Sequence, residues 1–513
     1  MSIYDRWNLY FGDLHNHCGI SYGHGSLEEA LSNAREQLDF CSVTGHAQWP
    51  DMPEENERVA DIVEFHNTGF DRLRKGWAEV KRTMEGANVE GSFLTFPGYE
   101  MHSSEHGDYT IVNRDFQGEI VYASVIGELK QHLGTLKQQG RDFLVIPHHI
   151  GYLQGFRGLN WETFTSEFSP VVEIFSMHGC SEDGETARPF LHTMGPADWR
   201  GTMRYGLERS NVFGVIGSTD HHSAHPGSHG HGKAAVWAPS LTREALWEAL
   251  CERRTYAVTG DRVALEFSVN GQPMGAQLPF AEKRVIEAGV KAGGAIDYID
   301  VVSSGGVVYR TSACDFFPDR DEPVRSLHTK VALEVGWGRK GQRFDWEVSL
   351  GVEQGEILSV EPRFRGREVL SPQDAEESGT SYYESHWERT GTDTVSFRTV
   401  TYGNPNTRTS GTQGLCLEVS IPPDAHILLA ANGVTQRIQA ERLVQGPKVG
   451  YVFDEPSSPA WRIERLPLTH EFERRFGFED RVRDPGKRSY YYLRVRQKNG
   501  QWAWSSPVFL SKE

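Results

Sequence analysis

The stretch "NLYFGDLHNHCGI", from Asn8 to Ile20, joins an apolar strand signal to a closely spaced pair of histidines. Its first part, "NLYFGDLH", has the short apolar run of a buried β-strand. His15 and His17 follow where that run ends, and side chains two residues apart on a strand point to the same side. The pair could hold one metal ion, although one H-x-H is a weak signal by itself. The remainder of the chain decides between a structural pair and a metal site.

Helical segments alternate with short apolar runs through the first half of the chain. The segment "SLEEALSNAREQL" predicts a helix with Ser26 as its N-cap and Glu29 three residues later, which is a capping box. An amphipathic stretch over residues 57–85 and the segments "SVIGELKQHLGTLKQQ" and "TREALWEALCERR" also predict helices. Strands are predicted in "DFCSVTGH", "SFLTFPGYE", "YTIVN", "DFLVIPHH", "PVVEIFSMHG" and "NVFGVIGSTDHH". This alternation predicts a parallel sheet, and six or seven units predict an α/β barrel related to the TIM barrel over residues 1–260.

The composition is that of a folded chain with more than one core. At 513 residues the chain exceeds one ordinary domain, so two or three domains are expected. The formal net charge of −17 argues against a nucleic-acid partner, because a phosphate backbone needs a basic surface. No window reaches the roughly 18 apolar residues of a membrane span, and the N-terminus has no apolar signal-peptide core. Six scattered cysteines without a CxxC pair favour a reducing compartment, so we expect a cytoplasmic protein without membrane association.

The histidines are distributed unevenly. Of 21 histidines, 17 lie at or before His231. Structural histidines should scatter along the chain, so this clustering indicates that the chemistry belongs to the first half. The segment "HSAHPGSHGHG", which starts at His222, adds His225, His229 and His231, and we expect it to form a mobile loop over the mouth of the site and not a separate metal site.

Metal-capable side chains recur at the ends of the predicted strands. In a parallel α/β barrel the C-terminal ends of the strands meet at one face, where active sites form. Imidazole together with carboxylate suits Zn²⁺, Mn²⁺ or Fe²⁺. The ligands exceed one coordination sphere, so we expect two or three divalent transition metals, with Glu100 as a bridging carboxylate. By the two-residue rule, His221 should point away from Asp220 and His222. The strand-end residues are His15, His17, His46, Glu100, His148, His149, His178, Asp220, His221 and His222.

The order of these motifs resembles that of the PHP (polymerase and histidinol phosphatase) superfamily of metal-dependent phosphoesterases, which have a distorted (β/α)7 barrel. The matching motifs are D-L-H-x-H, T-x-H, G-x-E, P-H-H, E-I-x-x-x-H-G and G-S-x-D-x-H, spread over the first 260 residues. The resemblance implies two ligand groups: His15, His17, Glu100 and Asp220 for one metal, and His46, Glu100, His148 and His178 for a second or third. It pairs His222 with Asp220 and gives Glu100 and Asp220 a metal-bridging or water-orienting role. The assignment of each histidine to one ion stays open.

Two positions depart from the pattern of the superfamily. Its second motif usually reads T-D-H, and here it is Thr44-Gly45-His46, so the carboxylate is lost. The region after His17 usually supplies a further ligand or an acidic residue, and here it reads "GISYGHGS". His24 is therefore either a ligand or a contact to substrate.

The sequence changes character after residue 260. Helical periodicity nearly disappears, and segments such as "VALEFSVNG", "KVALEVGW" and "RFDWEVSLG" alternate like antiparallel strands. Asn-Gly in "SYYYLRVRQKNGQWAW" is a strong hairpin signal. Residues 261–513 are therefore predicted to form one or two β-sandwich-like domains, with a polar insertion around residues 371–411. This half resembles a branch of PHP-like proteins with an appended β-rich domain.

Together these signals predict a metal-dependent hydrolase that acts on a small molecule, with phosphoester hydrolysis as the first expectation. The alternative in the same class is a carbamate, amide, ester or sugar-derived substrate, which the acidic charge and the scarcity of Lys and Arg in the motifs favour. A non-catalytic protein that binds carbohydrate or a partner is the alternative from another class, with exposed aromatics such as Trp337, Trp346 and Trp387 as the contacts. Whether the chain forms a homo-oligomer stays open. Candidate substrate-binding residues are His24, His106, His149 and Arg204.

Overall fold

The structure is a computed structural model. It describes residues 2–54, 56, 59–123, 126–186, 188–190, 195–316, 326–368, 373–374, 378–403, 411–483 and 489–511. The helix predicted after Ser26 is confirmed, because Ser26 and Glu29 exchange the two hydrogen bonds of a capping box. The other three predicted helices of the first half are also present, within a few residues of their expected bounds.

The first half of the chain alternates strands with helices. Its helices are α1 (Leu27–Gln37), α2 (Ala60–Ala87), α3 (Ile126–Gln138), α4 (Met203–Glu208) and α5 (Arg243–Cys251). Its strands are β1 (Asn8–Asp13), β2 (Phe40–Cys41), β3 (Thr44–Gln48), β4 (Leu94–Thr95), β5 (Gly98–Met101), β6 (Asp108–Asn113), β7 (Phe143–His148), β8 (Val171–Ser176), β9 (Gly179–Cys180), β10 (Gly214–Gly217), β11 (Lys233–Ala238) and β12 (Thr255–Val258).

Two of the predicted strands are each divided between two sheets. β1, β2 and β4 pair in parallel at one edge of the largest sheet. After a break of two residues, the chain of β2 continues as β3 and the chain of β4 continues as β5, and these two pair in parallel in a second sheet. The apolar first parts, such as Phe40 and Leu94, are fully buried in a core shared with α5. The polar continuations carry His46 and Glu100.

The strand β6 differs from the predicted parallel order. It lies antiparallel between β5 and β7. The reason is the connection from Met101 to Asp108, which is too short for the crossover of a dozen or more residues that parallel neighbours require. As a result β5 and β7 still run in the same direction, and the start of β6 lies beside their C-terminal ends, where Asp108 pairs with His148.

The remaining strands of the first half extend this arrangement. β8 and β10 pair in parallel in a third sheet. β7 contacts β8, and β10 contacts β11, so the three sheets succeed one another around an interior that holds the polar strand ends. The distorted barrel expected from the sequence stays a prediction.

The second half of the chain is composed almost entirely of strands. Its short helices are α6 (Ala440–Gln445) and α7 (Thr469–Phe472). Its strands are β13 (Ala264–Val269), β14 (Gln272–Pro273), β15 (Gln277–Pro279), β16 (Lys283–Lys291), β17 (Ile296–Ser303), β18 (Gly306–Ser312), β19 (Leu327–Trp337), β20 (Phe344–Glu353), β21 (Glu356–Pro362), β22 (His386–Arg389), β23 (Thr394–Thr401), β24 (Gln413–Ile421), β25 (His426–Ala431), β26 (Val434–Gln439), β27 (Lys448–Tyr451), β28 (Pro459–Ile463), β29 (Glu473–Arg481), β30 (Ser489–Gln497), β31 (Trp502–Ser505) and β32 (Val508–Ser511).

Two five-stranded sheets share one apolar core between residues 327 and 466. One sheet has the order β21-β24-β19-β28-β27 and the other β22-β23-β20-β25-β26. Trp346 is buried in this core, so it does not present an aromatic surface to a carbohydrate. The polar segment predicted as an insertion contains β22 and β23, which pair with each other and, through β23, with β20. The rest of that prediction, at residues 371–372, 375–377 and 404–410, lies outside the described residues.

One sheet continues across the predicted domain boundary at residue 260. β12 pairs antiparallel with β31, so that Tyr256 lies opposite Ser505. The end of the chain is therefore hydrogen-bonded to the sheet that begins with β1. Among the described helices, none has the length and apolar character needed to cross a membrane.

Candidate metal centre

The strand ends bring the predicted ligands to one buried place. His15 and His17 follow β1, and His148 ends β7. His46 lies within β3, two residues before its end, and Glu100 lies within β5, one residue before its end. The backbone N–H of Asp220 donates to the carbonyl oxygen of His15 (2.7 Å), which ties the segment after β10 to the end of β1.

Four side-chain atoms form a compact cage at the centre of this region. The Nε2 atoms of His15 and His17 are 3.1 Å apart. Asp220 Oδ1 lies 3.4 Å from the first and 3.0 Å from the second, and Glu100 Oε2 lies 3.5 Å and 3.3 Å from them. Tetrahedral ligands at the usual zinc distances are about 3.3 Å from one another. The cage therefore has the size of a first coordination shell.

The second oxygens of the two carboxylates reach further histidines. Glu100 Oε1 lies 3.0 Å from His148 Nε2. Asp220 Oδ2 lies 2.8 Å from His178 Nε2 and 3.2 Å from His149 Nε2. Each carboxylate thus faces two groups of imidazoles, which is the arrangement of a bridging ligand.

A third group lies on the other side of His17. His46 Nε2 is 3.2 Å from Glu100 Oε2, and its ring is stacked on that of His17 with 4.0 Å between centroids. The ring of His222 lies 4.3 Å from that of His17, so the coordinating nitrogens of His17, His46 and His222 fall within ligand distance of one another. All eight predicted ligands therefore meet in one centre.

Hydrogen bonds on the far ring nitrogens orient the imidazoles. His15 Nδ1–H donates to Glu173 Oε2 over 2.8 Å. Three further histidines have an engaged Nδ1 atom. His46 Nδ1 meets Ser21 Oγ (3.2 Å), His148 Nδ1 meets Thr110 Oγ1 (3.1 Å), and His222 Nδ1 meets the carbonyl oxygen of Asp220 (2.9 Å). An engaged Nδ1 leaves Nε2 as the coordinating atom and sets the plane of the ring.

Burial and charge shift the pKa values in opposite directions within the centre. Burial raises the pKa of Glu100, but the neighbouring histidines, His102 and His46 first, outweigh it and hold that pKa well below its ordinary value. Burial lowers the pKa of His15, yet Asp220 and Glu173 raise it well above the ordinary value. For His222, burial followed by repulsion from His17 lowers the pKa to about 3. Glu100 is thus ionised and His222 is neutral, the forms in which these residues would bind a metal.

The donor set fits divalent transition metals. The structure has no hydrogen bond to Glu100 Oε2 or Asp220 Oδ2 within the described chain, although both atoms are buried and close to several nitrogens. Buried carboxylate oxygens without donors are costly unless a cation satisfies them. Nitrogen and oxygen donors without thiolate suit Zn²⁺, Mn²⁺ or Fe²⁺.

The backbone is strained at two of these residues. His149 and Asp220 both have φ of +53°, a left-handed conformation that side chains other than glycine rarely adopt. Such strain costs about 1–3 kcal/mol at each residue and concentrates at functional sites. At Asp220 it turns the carboxylate into the cage while the next side chain, His221, points to the opposite side.

Several residues of the centre were missed by sequence reasoning. His102 Nδ1 lies 3.1 Å from Glu100 Oε1 and 3.3 Å from Asp108 Oδ2. Arg157 reaches the same place from the loop after β7 and lies 2.5 Å from Asp108 Oδ2. Tyr22 donates to His102 Nε2 over 3.0 Å and its ring stacks on His46. A search for polar residues at the C-terminal ends of strands could not find Asp108, because this residue begins β6.

One of the missed residues, Glu173, could have been identified from the sequence. Glu173 stands alone as a charged residue in the apolar strand "VVEIFS" and is buried. A carboxylate in such a place needs a partner, and its partner is His15. The absent carboxylate at Gly45 also has a physical reason, since a Cβ there would lie 2.6 Å from Leu73 Cδ1 of α2.

The predicted substrate-binding residues separate into two groups. His149 lies in the centre, as described above. The backbone N–H of His24 donates to the carbonyl oxygen of His222 (2.8 Å), and its ring lies 6.2 Å from that of Tyr382. His106 and Arg204 lie elsewhere, since His106 Nδ1 meets Thr163 Oγ1 at 3.3 Å and Arg204 meets Asp183 at 3.4 Å.

The segment that starts at His222 differs from the mobile loop that was expected. His225 and His229 are buried. His229 Nε2–H donates to Asp261 Oδ1 (2.9 Å), and Arg365 donates to His229 Nδ1 (3.1 Å). Hydrogen bonds to residues more than 30 positions away hold the segment in place.

Comparisons with known proteins match parts of this chain. Residues 227–298 match a family described as a protein of unknown function (DUF3604). An uncharacterized protein of Chlamydia pneumoniae is 26% identical over 265 residues, which are 47% of this chain and 41% of that protein. An uncharacterized protein of Chlamydia muridarum is 30% identical over 179 residues, which are 32% of this chain and 28% of that protein. The chain thus spans less than half the length of these curated relatives.

A solved structure is also similar in part. It is a two-domain protein from Bacteroides vulgatus whose description includes a predicted PHP-like metal-dependent phosphoesterase. The match has a TM-score of 0.32 and 16% identity, and it covers 58% of this chain and 80% of that one.

Proposed function

We propose that this chain is a metal-dependent hydrolase of phosphate esters. The observation that supports the proposal most strongly is the cage formed by His15, His17, Glu100 and Asp220, whose two carboxylates also reach a second set of imidazoles. The order of the motifs, which resembles that of the PHP superfamily, agrees with it.

The side chains of the centre have two roles: some would hold the cations, and others would border the entrance for substrate. When bound, two divalent ions supply hydroxide near neutral pH and stabilise the charge that develops on the substrate. His15, His17, His148 and Asp220 are almost fully buried, so they would hold the ions away from solvent. His178 and His222 are partly exposed and form the open side of the centre. Substrate would therefore enter beside these two histidines.

Arg157 supports an anionic substrate. Its guanidinium lies 3.8 Å from Glu100 Oε1 and carries a permanent positive charge. Sequence reasoning found almost no Lys or Arg in the motifs and therefore favoured a neutral substrate mildly. The structure brings this cation to the centre from a loop that no motif includes.

A second candidate function uses the same metals on a carbon centre. Arg157 is closely paired with Asp108, so its charge is largely neutralised before substrate arrives. A carbamate, amide or ester would need no such cation. The two candidates differ in substrate and share the ligand set.

Metal analysis combined with a substrate panel tests the proposal. Protein purified without chelators should hold about two transition-metal ions per chain and hydrolyse p-nitrophenyl phosphate or bis(p-nitrophenyl) phosphate. His17→Ala should abolish both properties, whereas His426→Ala, a histidine of the second half paired with Glu353, should change neither. Less than one metal per chain would contradict the proposal. Hydrolysis of p-nitrophenyl acetate or a nitrophenyl carbamate alone would select the second candidate.

A further inference from the structure

A second polar site lies on the opposite side of the segment Asp220–His222. The side chains of Asp220 and His222 face the metal centre, but the ring of His221 points away from it. That ring lies 5.5 Å from the ring of His231 and 6.1 Å from the ring of His225. It also lies directly under Gly366, where an added Cβ would be 2.3 Å from His221 Cε1. The histidines that the metal centre leaves out thus face the second half of the chain.

A cavity of about 360 Å³ opens at this contact between the two halves. One wall is formed by His225 and His231, and the other walls include residues 365–368 and the end of β23. Hydrogen bonds fix the walls against each other, since the N–H of Gly366 donates to Ser228 Oγ (3.1 Å) and that of His229 to the carbonyl oxygen of Phe364 (2.9 Å). One water occupies about 30 Å³, so the space admits a small molecule.

The cavity is lined by donors of hydrogen bonds. Arg365, Arg367 and Lys340 bring three positive charges to it, and His225, His231 and Tyr402 add neutral donors. Two carboxylates, Glu368 and Glu384, also line it. Glu384 is already surrounded, by Arg343 (2.9 Å), Arg367 (3.0 Å) and Tyr402 (2.7 Å). Three positive and two negative side chains thus line the cavity, and Arg343 adds a further positive charge beside Glu384, so the local charge is positive.

One donor of the lining lacks an acceptor in the described chain. Arg367 Nε is buried and makes no hydrogen bond to the described residues. A buried donor is seldom left unsatisfied, and this one lies beside a cavity that is large enough for an acceptor. A guanidinium presents a planar fork that matches the oxygens of a phosphate or a carboxylate.

We propose that this cavity binds a small dianion, which is either a phosphate ester or a dicarboxylate. Arg367 and Lys340 would hold its oxygens at the wall that faces the metal-binding segment. The site would be separate from the metal centre, because the backbone of residues 220–222 stands between them. It does not depend on the reaction that the metal centre performs.

Calorimetric titration of the full chain with its metals tests this proposal. The probes are inorganic phosphate and succinate, which distinguish a phosphorylated ligand from a dicarboxylate. The double variant Arg367→Gln with Lys340→Gln should weaken binding at least about tenfold, because it removes two charge-assisted contacts. Arg437→Gln is the matched control, since that arginine pairs with Glu353 on an exposed strand and should leave the affinity unchanged.

The variant His17→Ala separates this site from the metal centre. Phosphate that binds in the cavity should bind this variant as tightly as the unaltered chain. Should binding be lost in His17→Ala and kept in the double variant, phosphate would be bound at the metals and the proposal would be wrong. Absence of heat with both probes at millimolar concentration would also overturn it. If the double variant fails to fold, Lys340→Gln alone, an exposed position, should still weaken binding measurably.

Discussion

The metal centre and the arginine-lined cavity lie on opposite sides of three consecutive residues, Asp220, His221 and His222. Both sites are rich in buried histidine, yet their charges are opposite. In the metal centre, the carboxylates of Glu100 and Asp220 provide negative charge, and the Nε2 atoms of the imidazoles lie beside these carboxylates. In the cavity, the histidines lie beside Arg365 and Arg367, and positive side chains outnumber carboxylates. The difference shows that histidine takes its function from the charged residues around it.

The largest effect is expected from the residue that orients the first ligand. Glu173→Gln should weaken metal binding about 10–100-fold, because the carboxylate that accepts from His15 Nδ1 over 2.8 Å is replaced by an amide. Competition with a metal-sensitive dye measures the change. Glu388→Gln, an exposed glutamate of β22, is the matched control. The phosphate affinity of the cavity should stay the same in both variants, and a parallel loss would mean that the two sites are one.

Much of the metal centre could be predicted from the sequence because its ligands follow the C-terminal ends of buried strands. A buried strand has few places for polar side chains, so polar residues accumulate where it ends, as at His15 and His148. The eight predicted ligands meet in the structure for this reason. Asp108 and Arg157 escaped, because β6 runs in the reverse direction and Arg157 lies in a loop with φ of +69°. Neither feature has a periodic signal.

The cavity could not be predicted from the sequence. His225 and Arg367 are separated by more than 140 residues, and no period or motif relates them. The same holds for the pairing of β12 with β31, which crosses the predicted domain boundary. Local patterns predict elements and their ends. Contacts between distant strands depend on topology, which the alternation of apolar residues does not specify.

A smaller effect is expected from adding a methyl group at Gly366, which packs against the ring of His221 between the two sites. Gly366→Ala should lower the free energy of unfolding by about 1–3 kcal/mol, because the new Cβ would lie 2.3 Å from His221 Cε1 and 2.7 Å from His225 Cβ. Urea unfolding followed by tryptophan fluorescence measures it. Gly446→Ala is the control, since a Cβ there would have no neighbour within 4 Å. Metal content should be unchanged, and its loss would show that His221 transmits strain to Asp220 and His222.

A comparable effect is expected on the pH dependence of stability, to which the histidines of the two sites should contribute with opposite sign. Burial, followed by repulsion from His231 and Lys233, lowers the pKa of His225 to about 3, whereas carboxylates raise the pKa of His15. At pH 5 the folded chain keeps His225 neutral, while the unfolded chain, with an ordinary pKa near 6.5, binds a proton there. Stability should therefore fall as the pH drops from about 6.5 towards 3, by about 1.4 kcal/mol per pH unit for this one group.

The variant His225→Gln isolates that contribution. It should reduce the slope of unfolding free energy against pH, measured by urea titrations between pH 5 and 6, by about one proton. His132→Gln, an exposed histidine of α3, is the matched control and should leave the slope as it is. An identical slope in the two variants would mean that His225 is not held neutral, and the contrast between the two sites would then rest on the arginines alone.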